Sequence, residues 1–503
     1  MPDKKHIKQS WLWNLIPVVI SCSFIVCSIY AWKGGYLHNE TDAFLVSHLS
    51  DRSMIEKVLC PHLDSARFYQ ARELSHLFEN IDAHFILWSV DHGFPHFLSI
   101  VTYLLLTILS IGFWRFMVDW LGMKKVDAVL LLTLFWTTPC IFLSGPYFRD
   151  AKQLTTVFLF FLIFLILKRV FGNLKSMSAD LNVGVKKYPG SRLWILTFFL
   201  ALAACWSDRQ GFFLTAAILL IMMFAGLWFK GGRFWIAVTA LMAALVLHSI
   251  WNYYIGPLLI RHVNDVVVSF EYQKPQWNEF FNNPSIHLWR GLILMTNTLK
   301  SMLGNVSSSF CILFVFIAGY TLSRISGTKY PTVIFLMLLI VLLSVMNTFM
   351  IMRLPQLVYP SMLTTYYVLP ATVLFFTVLM VSVCQALKYN LISRSALRLS
   401  IIMIIALNLA NLPGQLEMAR NYDSGMRGRV EHSRYLLDAI GNLHDMPESG
   451  IKKTVPFNYK LVFKNTQFLL NPLETDRNSI RSFVLSSAFF NWLMYRRGSY
   501  SGK

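Results

Sequence analysis

The ionisable side chains of this 503-residue chain that could act together stand at the margins of long apolar runs. Glu40 and Asp42 follow the first run, within Asn39-Glu40-Thr41-Asp42, and Asp64, Arg67, Arg72 and Glu73 lie further along the same loop. Arg149, Asp150 and Lys152 follow the third run, Asp208 and Arg209 separate the fifth from the sixth, and Arg353 comes after the ninth. A charged group at or just inside the end of a membrane span is expensive and usually faces a cavity or a protein interior. A carboxylate can take a proton from an acceptor, and guanidinium groups can stabilise a departing phosphate. Together these residue types suit a reaction in which an acceptor loses a proton while an anionic group leaves.

Each position also has a plainer reading. Asp42 fits a solvated loop aspartate, and Arg149 with Asp150 fits a pair at a helix start, where the helix dipole favours an acid. Arg67, Arg72 and Glu73 suit an amphipathic helix lying on the membrane. His248, inside the seventh run, reads as a hydrogen-bonded core histidine. No H-E-x-x-H, P-loop or G-x-G-x-x-G pattern occurs, so neither catalytic zinc nor a nucleotide is indicated. Of the seven cysteines, Cys22, Cys27, Cys311 and Cys384 fall inside apolar runs, which argues against a disulfide framework.

The elements that must position these residues follow from composition. Hydrophobic residues make up 55% of the chain and charged residues only 14%, far below the roughly 25% of soluble domains. The apolar residues come in blocks long enough to cross a bilayer, separated by short charged segments. Expected spans are Trp11–Trp32, Phe94–Trp114, Val126–Ser144, Leu154–Leu167, Leu193–Trp206, Phe212–Phe229, Phe234–Tyr254, Val306–Leu322, Pro331–Met350, Tyr366–Leu387 and Leu399–Leu412. The fifth is short, at about 14 residues or roughly 21 Å of helix against a hydrocarbon core near 30 Å. That places Ser207-Asp208-Arg209-Gln210-Gly211 below the membrane surface.

The net charge of +19 comes from lysines and arginines spread through short segments between runs. It therefore reads as the positive-inside bias rather than as a nucleic-acid surface. The expected fold is an all-α polytopic membrane protein with about 11 transmembrane helices over residues 1–412. It has a long first outer loop at 33–92, a second at 255–286, and a small C-terminal extracytoplasmic domain at 413–503. The N-terminus is expected in the cytoplasm and the C-terminus outside, in a bacterial inner membrane.

The layout resembles the GT-C superfamily of integral-membrane glycosyltransferases. The resemblance rests on the acidic stretch Asn39-Glu40-Thr41-Asp42 in a long loop after the first span, Arg149-Asp150-Ala151, and the hairpin Ser207-Asp208-Arg209-Gln210-Gly211-Phe212. Arg353, Tyr366-Tyr367-Val368-Leu369-Pro370 and a C-terminal outer domain complete it. It implies a sugar donor carried on a polyprenyl phosphate, and transfer to a glycan, lipid or protein acceptor on the extracytoplasmic face, with inversion. It assigns the catalytic base to Asp42, with Glu40 the alternative, because Thr41-Asp42 stands where many relatives have two adjacent acids. Arg149, Arg209 and Arg353 would neutralise the leaving phosphate, with Asp150, Lys152 and Asp208 lining the site. Metal dependence varies across the superfamily, so a divalent metal is compatible with the resemblance and not required by it. The alternatives are a lipid-linked polysaccharide polymerase or ligase and, from another class, a transporter or flippase.

Overall fold

A computed structural model describes residues 4–32, 53–59, 69–91, 100–144, 150–170, 190–229, 232–264, 285, 369–388, 390 and 392–414. Among the described residues the regular structure is helical throughout, with no strand. Helix α1 is Lys4–Trp32, α2 Met54–Leu59, α3 Glu73–Asp91 and α4 Ile100–Arg115. Helix α5 is Lys125–Thr137, α6 Pro139–Ser144, α7 Asp150–Arg169 and α8 Gly190–Ser207. There follow α9 Arg209–Phe229, α10 Gly232–Ile250, α11 Gly256–Asn264, α12 Leu369–Lys388 and α13 Arg394–Gly414.

Among the described residues five stretches are long and apolar enough to cross a membrane: Ile100–Trp120, Gly190–Ser207, Arg209–Leu227, Gly232–Val263 and Arg394–Gly414. Leu15–Ser28 and Thr372–Val381 are shorter apolar helices. Large apolar side chains point outward from these elements, with Phe199 62%, Phe224 70% and Leu399 61% exposed. So much outward apolar surface is costly in water and suits a lipid surround. The expected eighth and ninth spans, and all of 413–503 but its first two residues, lie outside the described residues.

Three expected spans differ in detail. Val126–Ser144 is not one helix: α5 stops at Thr137, Thr138 is extended (φ −65°, ψ 130°), and α6 starts at Pro139. Proline has no N–H for the helical ladder and drives the residue before it away from helical geometry, which accounts for the break. The second span begins at Ile100 rather than Phe94 and continues past Arg115 through a π-helical turn, Phe116–Trp120. It is closed by Gly122 at φ 70°, a left-handed conformation that glycine adopts without a Cβ clash. The fifth span takes in Gly190, Ser191 and Arg192, giving α8 18 residues and a length of about 27 Å.

The core lies where α4, α5, α7 and α12 meet. Phe113 packs on Phe160 at 4.7 Å and on Phe135 at 4.9 Å between ring centroids, and Phe135 meets Phe376 edge-on at 5.5 Å. Trp136 stacks on Phe24 of α1 and donates its indole N–H to Ser110 Oγ at 2.8 Å. Such aromatic contacts add roughly 0.5–1.5 kcal/mol each beyond the burial itself. At one end of the bundle the buried Asp127 accepts from Arg398 Nε at 2.7 Å and faces Arg394 Nε at 3.5 Å, joining α5 to α13. Lys125 sits over the Trp13 ring, 4.3 Å from its centroid, at that same end.

Candidate functional site

The site is built on the sharp turn between α8 and α9, which consists of Asp208 alone. Asp208 caps α9: its Oδ1 accepts from Gln210 N at 2.8 Å, and its carbonyl accepts from Gly211 N at 2.8 Å. A carboxylate at this position satisfies N–H groups that the helix leaves over. The turn is so tight that a Cβ on Gly211 would collide with the Ala204 carbonyl oxygen. Only glycine allows that approach of backbone to backbone.

Asp208 does more than cap. Lys152 of α7 donates to its Oδ1 at 2.6 Å, and Arg72, just ahead of α3, brings Nη1 to 3.7 Å from Oδ2. Lys152 is 3% and Asp208 5% exposed, so the pair is shielded from water. Burial by itself pushes the Asp208 carboxyl up. The charges of Lys152 and Arg72, with the hydrogen bonds from Lys152 and from Gln210 N–H, outweigh it and hold the group below the ordinary aspartate value. Asp208 is therefore ionised at neutral pH. Asp208 thus holds two cations from different parts of the chain, Lys152 and Arg72, at one point.

Around this cluster the interior is polar. Helix α3 buries Ser75, His76, Glu79, Asn80 and Asp82, while Ile81 and Phe85 are exposed. Ser75 Oγ donates to the Ser207 carbonyl, and His76 Nδ1 lies 3.1 Å from Glu79 Oε2. Val101 N donates to Asp82 Oδ1 at 3.2 Å, fixing α3 to the start of α4. Gln153, Thr155 and Thr156 of α7 and Gln210 of α9 are buried as well. Helix α3 is amphipathic as expected, but its polar side faces protein. It does not lie with that side in water on the membrane surface.

A second set of bonds moors the segment carrying Arg72. Glu73 Oε1 accepts from Tyr69 Oη and from Trp251 Nε1, the latter at 2.8 Å. Ala71 N donates to Asn252 Oδ1 at 2.9 Å. Trp251 and Asn252 belong to a π-helical turn, Trp251–Ile255, that continues α10. The wider turn offers its side chains to a backbone segment about 180 residues earlier in the chain, and π turns recur at functional sites.

Of the residues singled out in the sequence, the structure brings Lys152 and Asp208 together. Arg209, beside them in sequence, has its guanidinium carbon 5.5 Å from the Phe213 ring. Asp150 opens α7. Glu40, Asp42, Arg149 and Arg353 lie outside the described residues. His248 is buried against the Phe212 ring, at 5.2 Å between centroids. Among the described residues no three His, Cys, Asp or Glu side chains gather so as to hold a metal ion.

Sequence reasoning underrated Arg72 and did not single out Ser75, His76, Glu79, Asn80 and Asp82. The available signal was their spacing, since residues 75, 76, 79 and 82 share one helical face. Chemically, the arrangement fixes two cations around an ionised carboxylate with little competing water. No protein-family model matches the chain and no curated protein matches it, so the functional reading rests on residues and geometry alone.

Proposed function

We propose that this chain is a membrane glycosyltransferase that moves a sugar from a polyprenyl-phosphate donor to an acceptor hydroxyl. The observation that carries the reading is the convergence of the half-buried Arg72 on the buried pair Lys152 and Asp208 within an apolar helical bundle. Burying charge is costly unless it is matched, and here Lys152 and Arg72 are held around the Asp208 carboxylate. Cations fixed in this way suit the phosphate of a lipid-borne donor, whose negative charge grows as the glycosidic bond breaks.

The roles divide by environment. Asp208 has both carboxylate oxygens engaged and stays ionised, so it orients Lys152 and Arg72 and is not the base. The base is assigned to Asp42, with Glu40 two positions before it in the sequence. The acceptor O–H gives its proton to Asp42, and the oxygen bonds to the anomeric carbon. The bond from that carbon to the phosphate oxygen breaks, its electron pair leaving on the polyprenyl phosphate. Arg149, Arg209 and Arg353 join Lys152 in neutralising that group, and Asp150 lines the site.

The test is release of polyprenyl phosphate by the purified full chain from a panel of polyprenyl-phosphate sugars, with and without candidate acceptors. Asp42→Asn should cut the rate by about 10²–10⁴-fold, the usual contribution of a general base. Lys152→Met should raise KM for the donor more than it lowers kcat. A folded Asp42→Asn protein working at the wild-type rate would remove the base assignment. A ladder of products would favour a polymerase, and movement of unaltered donor across vesicles would favour a flippase.

A further inference from the structure

A groove of about 300 Å³ opens between α7 and α8 at the end of the pair remote from Asp208. Its walls are Phe161, Phe164, Leu165, Leu196 and Leu200, and Lys168 and Arg169 stand at its margin. We propose that this groove binds an anionic phospholipid of the surrounding bilayer, one acyl chain lying between the two helices and the phosphate meeting Lys168 and Arg169. The inference is independent of the glycosyltransferase reading.

Three observations support this occupant. Leu196 is 50% and the neighbouring Phe199 62% exposed, so the groove opens on the surface that the apolar exterior assigns to lipid. Its volume is at the lower limit of small-molecule sites, about 300–1,000 Å³, which suits part of a chain rather than a whole soluble ligand. The cations stand where α7 ends: the Lys168 ammonium lies 5.5 Å from the centre of the Phe164 ring on the groove wall, and Arg233 Nη1 donates to the Arg169 carbonyl at 3.3 Å. Two positive side chains thus line an apolar slot, with Arg233 bonded to the backbone beside them. Basic pockets between membrane helices favour anionic headgroups for this reason. Phosphatidylcholine, with no net charge, gains nothing from them.

The experiment is native mass spectrometry of the full chain in detergent, titrated with phosphatidylglycerol or with phosphatidylcholine of the same acyl chains. Phosphatidylglycerol should bind more tightly, by roughly fivefold per cation engaged. Lys168→Gln with Arg169→Gln should bring it down to the phosphatidylcholine level. Leu196→Trp, which fills the slot and keeps both cations, should lower binding of both lipids. Lys124→Gln, a charge change outside the groove lining, should leave the preference intact. Equal binding of the two lipids, an unchanged preference in the double variant, or undiminished binding in Leu196→Trp would each overturn the assignment. So would displacement of the lipid by inorganic phosphate alone, which would indicate a site for a soluble anion.

Discussion

Lys152 Nζ lies 2.6 Å from Asp208 Oδ1 across 56 residues of sequence, and both side chains are buried. Removing one partner from such a pair costs more than removing both, because the survivor keeps its charge away from water. Asp208→Asn leaves a side-chain oxygen to cap α9 but takes the carboxylate from Lys152, a loss of about 3–5 kcal/mol. The double change Asp208→Asn with Lys152→Met should recover a large part of it. Thermal unfolding of the single and double variants in detergent measures the coupling. A loss in the double variant equal to the sum of the two single losses would mean that the pair contributes no mutual stabilisation.

The same pair sets an acid limit. The folded-state pKa of Asp208 lies below its ordinary value of 3.8, so its contribution to stability is complete above that value. It is lost as pH falls below 3.8 and on through the depressed folded value. Acid unfolding of wild type should therefore contain a component that Asp208→Asn lacks, while the gap between the two proteins stays constant from neutral pH down to about 5. A gap that closes above pH 5 would count against Asp208 as its source.

Gly211→Ala places a methyl group against the Ala204 carbonyl, a collision with backbone that no rotamer relieves. The α8–α9 turn must open, at a cost of about 1–3 kcal/mol. Because the turn carries Asp208, the variant should also shift the acid transition described above. A scan of unfolding against pH tests both effects, and an unaltered protein would show that the turn has slack.

Glu73 and Asn252 hold the segment bearing Arg72 from opposite sides. Asn252→Ala removes the acceptor of Ala71 N–H, and leaving a buried donor without a partner costs about 1–3 kcal/mol. Hydrogen exchange over residues 69–73 should accelerate in Asn252→Ala and in Glu73→Ala. Exchange in the distant α13 should stay as in wild type. Uniform acceleration everywhere would indicate global destabilisation rather than release of this segment.

Part of this site was legible in the sequence. Lys152 and Asp208 stood out because a charge beside an apolar run has few inexpensive places to go. The helical fold followed from the same runs. What periodicity could not supply was the direction of α3. An amphipathic pattern identifies a polar face, and in a membrane protein that face can meet water or a polar interior. Here it meets the interior, where Ser75 bonds the Ser207 carbonyl and Asp82 accepts from Val101 N–H. The break at Thr138 was readable from Pro139 alone. The start of α8 was not, since Ser191 and Arg192 look like loop to any reading based on apolar content. The attachment of Glu73 to Trp251 was also invisible, for no local pattern marks a contact between residues 178 positions apart.

The dependence of Arg72 and Lys152 on Asp208 imposes an order on biogenesis. Both cations leave the ribosome well before the aspartate they meet, so the nascent chain passes through an interval in which this cluster is unmade. A chain stopped at Phe199 would be caught permanently in that interval, and it should be cleared by quality-control proteases while a chain stopped at Phe229 survives.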